Sequence, residues 1–424
     1  MIRRKVLCNM LLLYAATAAA ADVHYSAATT LMQASNLNHL PTPNENEVSQ
    51  TVRGTVAIVE NSSNLLANLN STVEAIRYST NQAADSSTGQ LVANALWYVR
   101  PGQLEWFVSN IYTQTAINSL ISDIPANRQN VNAFSTGPNY YIRINRRTHL
   151  ELEGRVEDYS YDSVDTDNNR MFAASRLQMA MTPSVNTNVN YESAHVKYDN
   201  QILNTSFDRN DVFLGLQYLR GVNSAELQSG YTRIQNDNVA DVTESRYLIA
   251  LQNQRTRNRS VRAEYRRNLS DTSSDLRYVT APGNTTQTLL ATSAALYVRT
   301  STSVSFTNEL STGVFIVNAR KSELDYLTAD TLDQTEKGAS ITNLWNLGGG
   351  SSMTINGSYI ETSYINLAPL RINDDYLYGM AYAYRFKRNI SLGLRAEKAQ
   401  RVSTDTLQNF EDERIILTLQ YNSR

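Results

Sequence analysis

The sequence predicts an all-β fold, a single transmembrane antiparallel up-and-down β-barrel of about 20 strands. Three observations lead to it: apolar and polar residues alternate along most of the chain, long polar connections take turns with tight ones, and charge is scarce although the chain is not apolar. Of 424 residues, 42% are hydrophobic and 18% charged, whereas a soluble protein carries about 25% charged residues. No run of ~18 apolar residues follows the first two dozen positions, which excludes a helical membrane protein. A formal charge of −2 without a basic block argues against a nucleic-acid partner.

The beginning of the chain has the organisation of a cleaved signal peptide. Three basic residues at 3–5 precede an apolar stretch, Met10 to Ala21, that ends in small residues, as in secretory leaders. A short anchor helix is the alternative, but a dozen apolar residues are too few to span a bilayer. We therefore predict two segments, 1–21 as the cleaved signal peptide and 22–424 as one exported barrel. The only cysteine, Cys8, lies in the leader, so no disulfide is expected in the exported chain.

Alternation with a period of two residues is the strongest signal. In 148–160, Leu150 and Leu152 lie on one face of a strand, while Glu151 and Glu153 lie on the other. The same alternation recurs in 260–267, in 390–397 and near the C-terminus from 413 to 421. No segment of comparable length has the spacing of an amphipathic helix, so nearly all of the exported chain is predicted to form strands.

The predicted strands are 22–33, 48–60, 65–79, 89–99, 103–115, 130–144, 148–160, 170–181, 185–198, 209–219, 224–234, 244–255, 260–268, 287–299, 303–316, 338–346, 351–362, 374–386, 390–398 and 412–422. The connections between them alternate between long and tight, and the tight ones contain turn residues such as Pro101-Gly102 and Gly348-Gly349-Gly350. An outer-membrane barrel keeps its long loops at one end and its tight turns at the other, with an even number of strands. The count is therefore 20, with 18 as the alternative, and both termini lie at the end of the tight turns.

A closed barrel also follows from the hydrogen bonds of the backbone. In hydrocarbon every N–H and C=O group must be paired within the protein, so only helices and closed sheets can span a membrane. Twenty strands about 4.8 Å apart and tilted by ~40° imply a backbone diameter of about 40 Å. Side chains alone cannot fill a lumen of that width, so we expect either a wet pore or inward-folded loops.

Tyrosine, with 25 residues, suits the two interfaces of a membrane, because its ring is apolar and its hydroxyl is polar. In 374–386, Tyr376, Tyr378, Tyr382 and Tyr384 share one face with Met380 and Phe386, and Arg385 lies on the other. The arginine predicts that its own face is lumenal, which turns the tyrosine stripe outward.

Charged residues within strands are the candidates for the lumen wall. The predicted lumen-lining residues are Glu151, Glu153, Arg155, Arg176, Arg233, Arg246, Arg262, Glu264, Arg266, Arg385 and Arg395. One interpretation is mutual neutralisation on a solvated wall, which requires no function. The other is a wall of mixed sign along which an uncharged or anionic polymer slides through shallow, repeated contacts.

No catalytic, cofactor-binding or metal-binding residue is predicted, and the protein is not expected to be an enzyme. The four histidines, His24, His39, His149 and His195, are far apart in the sequence and lack the spacing of metal ligands. The glycine run at 348–350 is predicted to be a hairpin turn and not a phosphate-binding loop or a nucleophile elbow.

Several short segments carry a resemblance to a known family: the run Asn127 to Asn132, Thr136-Gly137-Pro138, the strand Leu150 to Tyr161, and the early Ser35-Asn36-Leu37. Together they resemble outer-membrane β-barrel porins that are encoded with exopolysaccharide and exosortase (PEP-CTERM) systems of Gram-negative bacteria. The resemblance covers most of the exported chain through diffuse motifs, and it supplies no catalytic residues.

The resemblance implies a place in the cell outer membrane and a role in exporting exopolysaccharide. The partners then expected are outer-membrane lipid, polysaccharide cargo, the barrel-insertion machinery, and periplasmic and inner-membrane export components. A general diffusion porin and a non-conducting scaffold barrel of a secretion assembly remain alternatives. A soluble exported β-solenoid or adhesin is a more remote alternative, because no residues recur with the period of 20–50 residues that a solenoid requires.

Overall fold

The computed structural model describes residues 21–423 except Asn44, Asn81, 202–203, 237–238, Arg257, Thr272, 274–294 and Thr328. The predicted signal peptide therefore lies outside the described residues, apart from Ala21.

Twenty strands follow one another along the chain: β1 Asp22–Ala34, β2 Glu47–Asn61, β3 Leu65–Tyr78, β4 Ser86–Arg100, β5 Leu104–Ala116, β6 Arg128–Arg143, β7 Thr148–Tyr161, β8 Asn168–Thr182, β9 Val185–Tyr198, β10 Phe207–Arg220, β11 Asn223–Asn236, β12 Val239–Thr256, β13 Arg259–Asp271, β14 Leu296–Leu310, β15 Gly313–Tyr326, β16 Gln334–Gly348, β17 Ser351–Tyr364, β18 Arg371–Lys387, β19 Ile390–Ser403 and β20 Phe410–Asn422.

Each strand pairs antiparallel with its neighbours in the chain, and β1 pairs with β20 from Ser26 opposite Asn422 to Ala34 opposite Arg414. The sheet is therefore closed on itself, and the predicted fold and the count of 20 are confirmed. Short 3₁₀ turns lie in three of the connections, at Pro125–Asn127, Asp330–Leu332 and Thr406–Gln408. No helix in the described part of the chain has the length and apolar character of a membrane span.

The two ends of the barrel differ as predicted. We call them the turn end, where nine short connections lie and where β1 begins and β20 ends, and the loop end, where ten connections lie. Gly348, Gly349 and Gly350 form one of the tight turns with φ angles of 79°, 59° and 85°, which L-residues with a side chain rarely adopt. One connection at the loop end is not long: β11 ends at Asn236 and β12 begins at Val239, so the predicted loop 235–243 is mostly strand.

The predicted boundaries of β14 and β15 are wrong. The predicted turn at 300–302 lies within β14, and the predicted loop 317–337 contains the second half of β15. Thr300-Ser301-Thr302 has the composition of a turn, but Ser301 and Ser303 lie on the lumenal face with Arg266 and Glu264 as their strand partners. Because a wet lumen accepts hydroxyl groups in the middle of a strand, polarity does not mark a turn here. The first part of the predicted strand 287–299 lies outside the described residues.

The strand register defines the two faces. Leu31, Leu417, Leu394 and Tyr382 are directly paired across β1, β20, β19 and β18, and all are exposed on the outside. The neighbouring row, which includes Arg395, faces the lumen. The outer face continues around the barrel with exposed apolar side chains, among them Val52, Val73, Val156, Leu214, Ile249, Val304, Ile341 and Met380.

Aromatic side chains border this apolar surface on both sides. Near the turn end the outer face carries Tyr25, Trp97, Trp106, Tyr140, Tyr218, Tyr384 and Tyr421, and towards the loop end it carries Tyr191, Tyr231, Tyr247 and Tyr378. The tyrosine stripe of β18 thus faces outward, as its pattern predicts, with Tyr378 53% exposed. An apolar band between two aromatic girdles is the outer surface of a barrel that spans a membrane.

Candidate functional site

A network of paired charges covers the inner face of β7–β12. Arg176 of β8 lies at its centre: its guanidinium nitrogens are 3.2 Å from a carboxylate oxygen of Glu151 and 3.2 Å from one of Glu192, and it also bonds Glu153. The register brings these groups together, because Glu151 is the direct strand partner of Arg176. Arg155, on the far side of Glu153, lies 3.1 Å from that carboxylate.

The network continues on β10 and β12. Arg246 is 3.6 Å from Glu192 and 3.5 Å from Asp211, and Arg209 approaches Asp211 to 2.7 Å. The guanidinium carbon of Arg246 also stands 3.8 Å from the centre of the Phe213 ring, a cation–π arrangement. The carboxylate of Asp211 is only 4% exposed, so its charge depends on these arginines.

We call these eight residues the paired-charge belt: Glu151, Glu153, Glu192, Asp211, Arg155, Arg176, Arg209 and Arg246. Four carboxylates and four guanidiniums give the belt a formal charge of zero. Since every charge has a partner of opposite sign, the belt offers hydrogen bonds to a polar solute without strong attraction for anions or cations. Such shallow contacts allow a solute to leave as readily as it enters.

The other predicted lumen-lining residues lie nearby or on the opposite wall. Glu264 of β13 is held between Arg262 at 2.9 Å and Arg266 at 3.1 Å. Arg395 of β19 faces the lumen beside its partner Glu397, and Arg385 of β18 lies on the inner face near the turn end. The register thus places ten of the eleven predicted residues on the inner face.

Arg233 is the exception, and the prediction that it lines the lumen is corrected. It pairs across the sheet with Asn210 and Thr243, on the same face as the exposed Tyr231, and its side chain is 50% exposed beside Asp241. Strand parity decides the face: Ile234, the next residue, points inward and is 2% exposed. The charge of a side chain therefore did not identify its face near the loop end, where the outer surface also carries charges.

The end of β13 and the start of β14 separate from β12 and fold towards the lumen, while Tyr297 and Val298 stay paired with β15. β12 and β13 pair only up to Tyr247 opposite Arg267, although β13 continues to Asp271. We call Asn268–Asp271, Ser273 and Leu296–Val298 the inner tip. Leu269 would face outward in a continuous wall, but it is 0% exposed and packs against lumenal side chains of β9–β12, including Ile234.

A buried ion pair holds the inner tip against the opposite part of the wall. Asp271 accepts hydrogen bonds from Arg170 of β8 over 2.6 Å and 3.2 Å, and the two side chains are 2% and 5% exposed. The hydroxyl groups of Ser273 and Tyr161 are 2.8 Å apart, and Asn168 donates to Ser273 over 3.3 Å. These contacts reach from β13 to β7 and β8, so the tip narrows the lumen at the loop end.

The connection 117–127 enters the lumen from β5 and β6 and reaches across the loop end. Tyr364 of β17 donates to the carbonyl oxygen of Ser119 over 3.2 Å, and Arg401 of β19 donates to the Ser122 hydroxyl over 2.9 Å. The sequence left open whether loops fold inward. In the structure, this connection and the inner tip both fold into the lumen.

His39 lies in the connection between β1 and β2 and is buried against the start of β20. Its ring stacks on Phe410 with centroids 3.9 Å apart, its Nε2 is 3.2 Å from Arg414 and 3.9 Å from Asp412, and the Asn36 backbone N–H donates to Asp412 over 2.8 Å. Burial, reinforced by the Arg414 charge, lowers the pKa of His39 to about 4. A neutral imidazole therefore packs in this loop at pH 7.

Two cavities of similar volume open on the lumenal side. One, of about 570 Å³, lies beneath the connection 117–127 between β1–β3 and β18–β20, and Arg53, Glu74 and Arg414 contribute to its lining. The other, of about 560 Å³, lies at the turn end beside β5–β9, with Tyr141, Arg143 and His149 among its lining residues. Within the described residues, no three His, Asp or Glu side chains are grouped so that they could hold a metal ion.

Sequence reasoning missed the residues that narrow the lumen, above all Arg170, Asp271 and the connection 117–127. No local signal marks Asp271, because its partner lies five strands away, and contacts across a lumen leave no period in the sequence. Asp211 and Arg209 of the belt, in contrast, could have been found by extending the strand parity through β10.

Comparison of the sequence with protein-family models and with curated proteins gives no match. Solved structures resemble the fold. OccK2 (OpdF) of Pseudomonas aeruginosa in complex with glucuronate has 9% identity and a TM-score of 0.42 over 95% of this chain and 98% of its own. A BenF-like porin from Pseudomonas fluorescens has 10% identity and 0.44 over 95% and 99%, and the siderophore receptor PiuA from Acinetobacter baumannii has 8% and 0.44 over 94% and 82%. The scores are low, so the fold assignment rests on the strand pairing of this chain itself.

Proposed function

We propose that this protein is an outer-membrane channel for the export of an exopolysaccharide. The observation that carries the proposal is the contrast between the two faces of the barrel: an apolar band between aromatic girdles outside, and a paired-charge belt of zero formal charge inside. Outer-membrane lipid is the solvent of the first face, and a hydrated saccharide suits the second.

The exterior supports the membrane location. Exposed apolar side chains follow the circumference, and the pairing of β1 with β20 joins the first strand to the last, so the sheet has no edge strand. A barrel of this kind requires the insertion machinery of the outer membrane, and the turn end then faces the periplasm, where export components of the periplasm and inner membrane meet it.

The lumen supports a saccharide. Its wall combines carboxylates, guanidiniums and amides that both donate and accept hydrogen bonds, as the hydroxyl groups of a sugar do. Because the charges of the belt are already bonded to one another, a sugar meets many weak sites instead of one deep site. The inner tip and the connection 117–127 narrow the path, which favours a threaded chain over free diffusion of bulky solutes.

The general diffusion porin and the scaffold barrel predict different electrical behaviour. The exported chain, refolded into a planar bilayer, should conduct ions, and a neutral oligosaccharide should block the current in brief events. Unaffected conductance would favour the general porin, and absence of conductance in a folded barrel would favour the scaffold.

A matched pair of substitutions locates the effect in the lumen. Arg176→Gln leaves Glu151, Glu153 and Glu192 without their common partner, so the channel should shift towards cation selectivity and the blocking events should change in duration. Arg233→Gln makes the same chemical change on the outer face and should alter neither. Equal effects of the two variants would contradict the assignment of the belt as the conducting wall.

A further inference from the structure

Basic residues concentrate at the turn end. The turn end comprises the nine short connections with three strand residues on either side of each, the first three residues of β1 and the last three of β20. The described residues of this set include ten basic and four acidic ones, a net formal charge of +6. Arg143, Arg146 and Arg147 belong to the turn after β6, and Arg385, Lys387 and Arg388 to the turn after β18. The other four, Arg100, Arg220, Arg255 and Arg259, lie at the turns after β4, β10 and β12. We call the ten residues the basic ring.

The residues of the basic ring differ from the arginines of the lumen wall. All ten are exposed, and none forms an ion pair with another residue in the part of the chain that the structure describes. Arg176 and Arg170, by contrast, are bonded to carboxylates. Arg259 donates to the side-chain oxygen of Asn308 over 3.1 Å, whereas the side-chain donors of Arg143, Arg146 and Arg147 remain available for an external anion.

The loop end has the opposite sign. We count its ten connections with three strand residues on either side of each. The described residues of this set include eighteen acidic and seven basic ones, a net formal charge of −11. The barrel thus carries positive charge at one mouth and negative charge at the other. Fields of this kind raise the rate at which an oppositely charged solute meets a mouth, by about 10-fold or more at low salt.

Part of the ring faces a cavity. Arg143, Arg146 and Arg147 line the turn-end cavity of about 560 Å³, and the rest of its lining includes Tyr141, His149, Gln178 and one carboxylate, Glu105. The Tyr141 hydroxyl donates to Glu105 over 3.1 Å, and His149 Nε2 lies 3.1 Å from the Gln178 side-chain oxygen. Three guanidiniums for acidic groups thus stand beside an aromatic ring and neutral polar groups for sugar hydroxyls, in a space of the size that holds a small ligand.

We propose that this cavity is the entry site for an acidic polysaccharide, with Arg143, Arg146 and Arg147 binding its carboxylate groups. The inference rests on the proposed function and names its substrate class. Arginine binds carboxylates through two parallel hydrogen bonds, and here no internal carboxylate has to be displaced first. The charge of the two mouths alters the rates of encounter on each side, so an acidic chain enters more often from the turn end than from the loop end.

The test measures binding of a labelled oligogalacturonate and of an uncharged oligosaccharide of equal length to the protein in nanodiscs of zwitterionic lipid. The acidic probe should bind about tenfold more tightly at 50 mM salt, and the preference should shrink at 500 mM salt because screening shortens the range of the charges. Equal affinity for the two probes at low salt would overturn the proposal.

Two triple variants separate the cavity from the general field of the ring. Arg143→Gln with Arg146→Gln and Arg147→Gln should abolish the preference for the acidic probe. Arg220→Gln with Arg255→Gln and Arg259→Gln removes the same charge from two other turns, at ring residues that line neither this cavity nor the cavity beside the turn after β18, and should keep most of the preference. A heat-modifiable gel shift checks that both variants fold. Equal loss in the two variants would refute a specific cavity site.

Two outcomes address the alternatives. If nanodiscs containing phosphatidylglycerol abolish binding of the acidic probe, lipid headgroups occupy the cavity and the proposal fails. A barrel that binds the acidic probe but conducts no ions would support the binding site and contradict the proposed channel. A barrel that conducts ions but does not prefer the acidic probe would contradict only the binding site.

Discussion

The substitution Asp271→Asn should release the inner tip from the lumen. It removes the charge that Arg170 meets at 2.6 Å while keeping the shape of the side chain, and both residues are at most 5% exposed. Removing one partner of a buried ion pair costs about 3–5 kcal/mol, because the remaining charge has no partner. At 1.4 kcal/mol for each factor of ten, the population with a displaced tip should rise roughly 100-fold or more.

The displaced tip can pair with β12. If the register of Tyr247 opposite Arg267 continues, Leu269 comes opposite Ser245 and Asp271 opposite Thr243, which extends the β12–β13 ladder and turns Leu269 outward. Burial of Leu269 in the lumen, about 2 kcal/mol, opposes this change. The loss of the pair with Arg170 thus outweighs the burial of Leu269, and the hydrogen bonds of Ser273 with Tyr161 and Asn168 are the remaining contacts that hold the tip inward.

The reaction of Ser273→Cys with a charged maleimide measures the release. The exported chain is expected to have no other cysteine, and Ser273 is 5% exposed in its site beside Tyr161. The labelling rate should rise roughly 100-fold in the Asp271→Asn background. Asp241→Asn removes an exposed partner of Arg233, a weak interaction because water screens both charges, and should leave the rate within about fivefold. A rate unchanged by Asp271→Asn would refute the reasoning.

Three further changes test other parts of the structure. The free energy of opening of the loop, measured by hydrogen exchange of the 36–40 backbone, should fall by about 3 kcal/mol as the pH drops from 6.5 to 4. The reason is that the pKa of His39 is lower in the folded loop than in an open one, so protonation favours the open loop. His39→Asn, which tolerates the positive φ of this position, should remove this dependence of the opening free energy on pH. The same pH dependence in the variant would contradict the assignment of the effect to His39. Gly137→Ala places a Cβ 2.1 Å from the Gly154 carbonyl oxygen and should cost about 1–3 kcal/mol in a urea unfolding titration, whereas Gly54→Ala meets no atom within 4 Å and should be neutral. Equal midpoints for the two glycine variants would contradict the close approach. Leu214→Arg, on the outer face and 61% exposed, should cost about 2–4 kcal/mol in lipid vesicles, and a retained midpoint would show that this surface does not face lipid.

The strands were predictable because their signals are local. Alternation in 148–160 and 390–397 reflects one face in an apolar environment and one in water, and that contrast acts on every second residue. The tight turns carry their own chemistry, as Gly348–Gly350 shows. The prediction of β14 and β15 failed where the lumen accepts serine and threonine, since polar residues then occur in strands as well as in turns.

The candidate site was predictable in part. Strand parity and charge together identified Glu151, Arg155 and Arg176, but charge alone misplaced Arg233, which lies beyond the apolar band where both faces meet water. The basic ring is visible in the sequence once the ends of the strands are known, although its lack of internal partners is not.

The sequence by itself determined the class of the fold, the number of strands, the end at which β1 begins and β20 ends, and the outward direction of the tyrosine stripe, because each follows from residues near one another in the chain. Only the tertiary structure decided which strands face one another across the lumen. The pairing of Arg170 with Asp271, the inward path of 117–127 and the burial of His39 all depend on the closure of the barrel. Closure brings distant strands within the few ångströms over which hydrogen bonds and ion pairs act, and no local pattern records that distance.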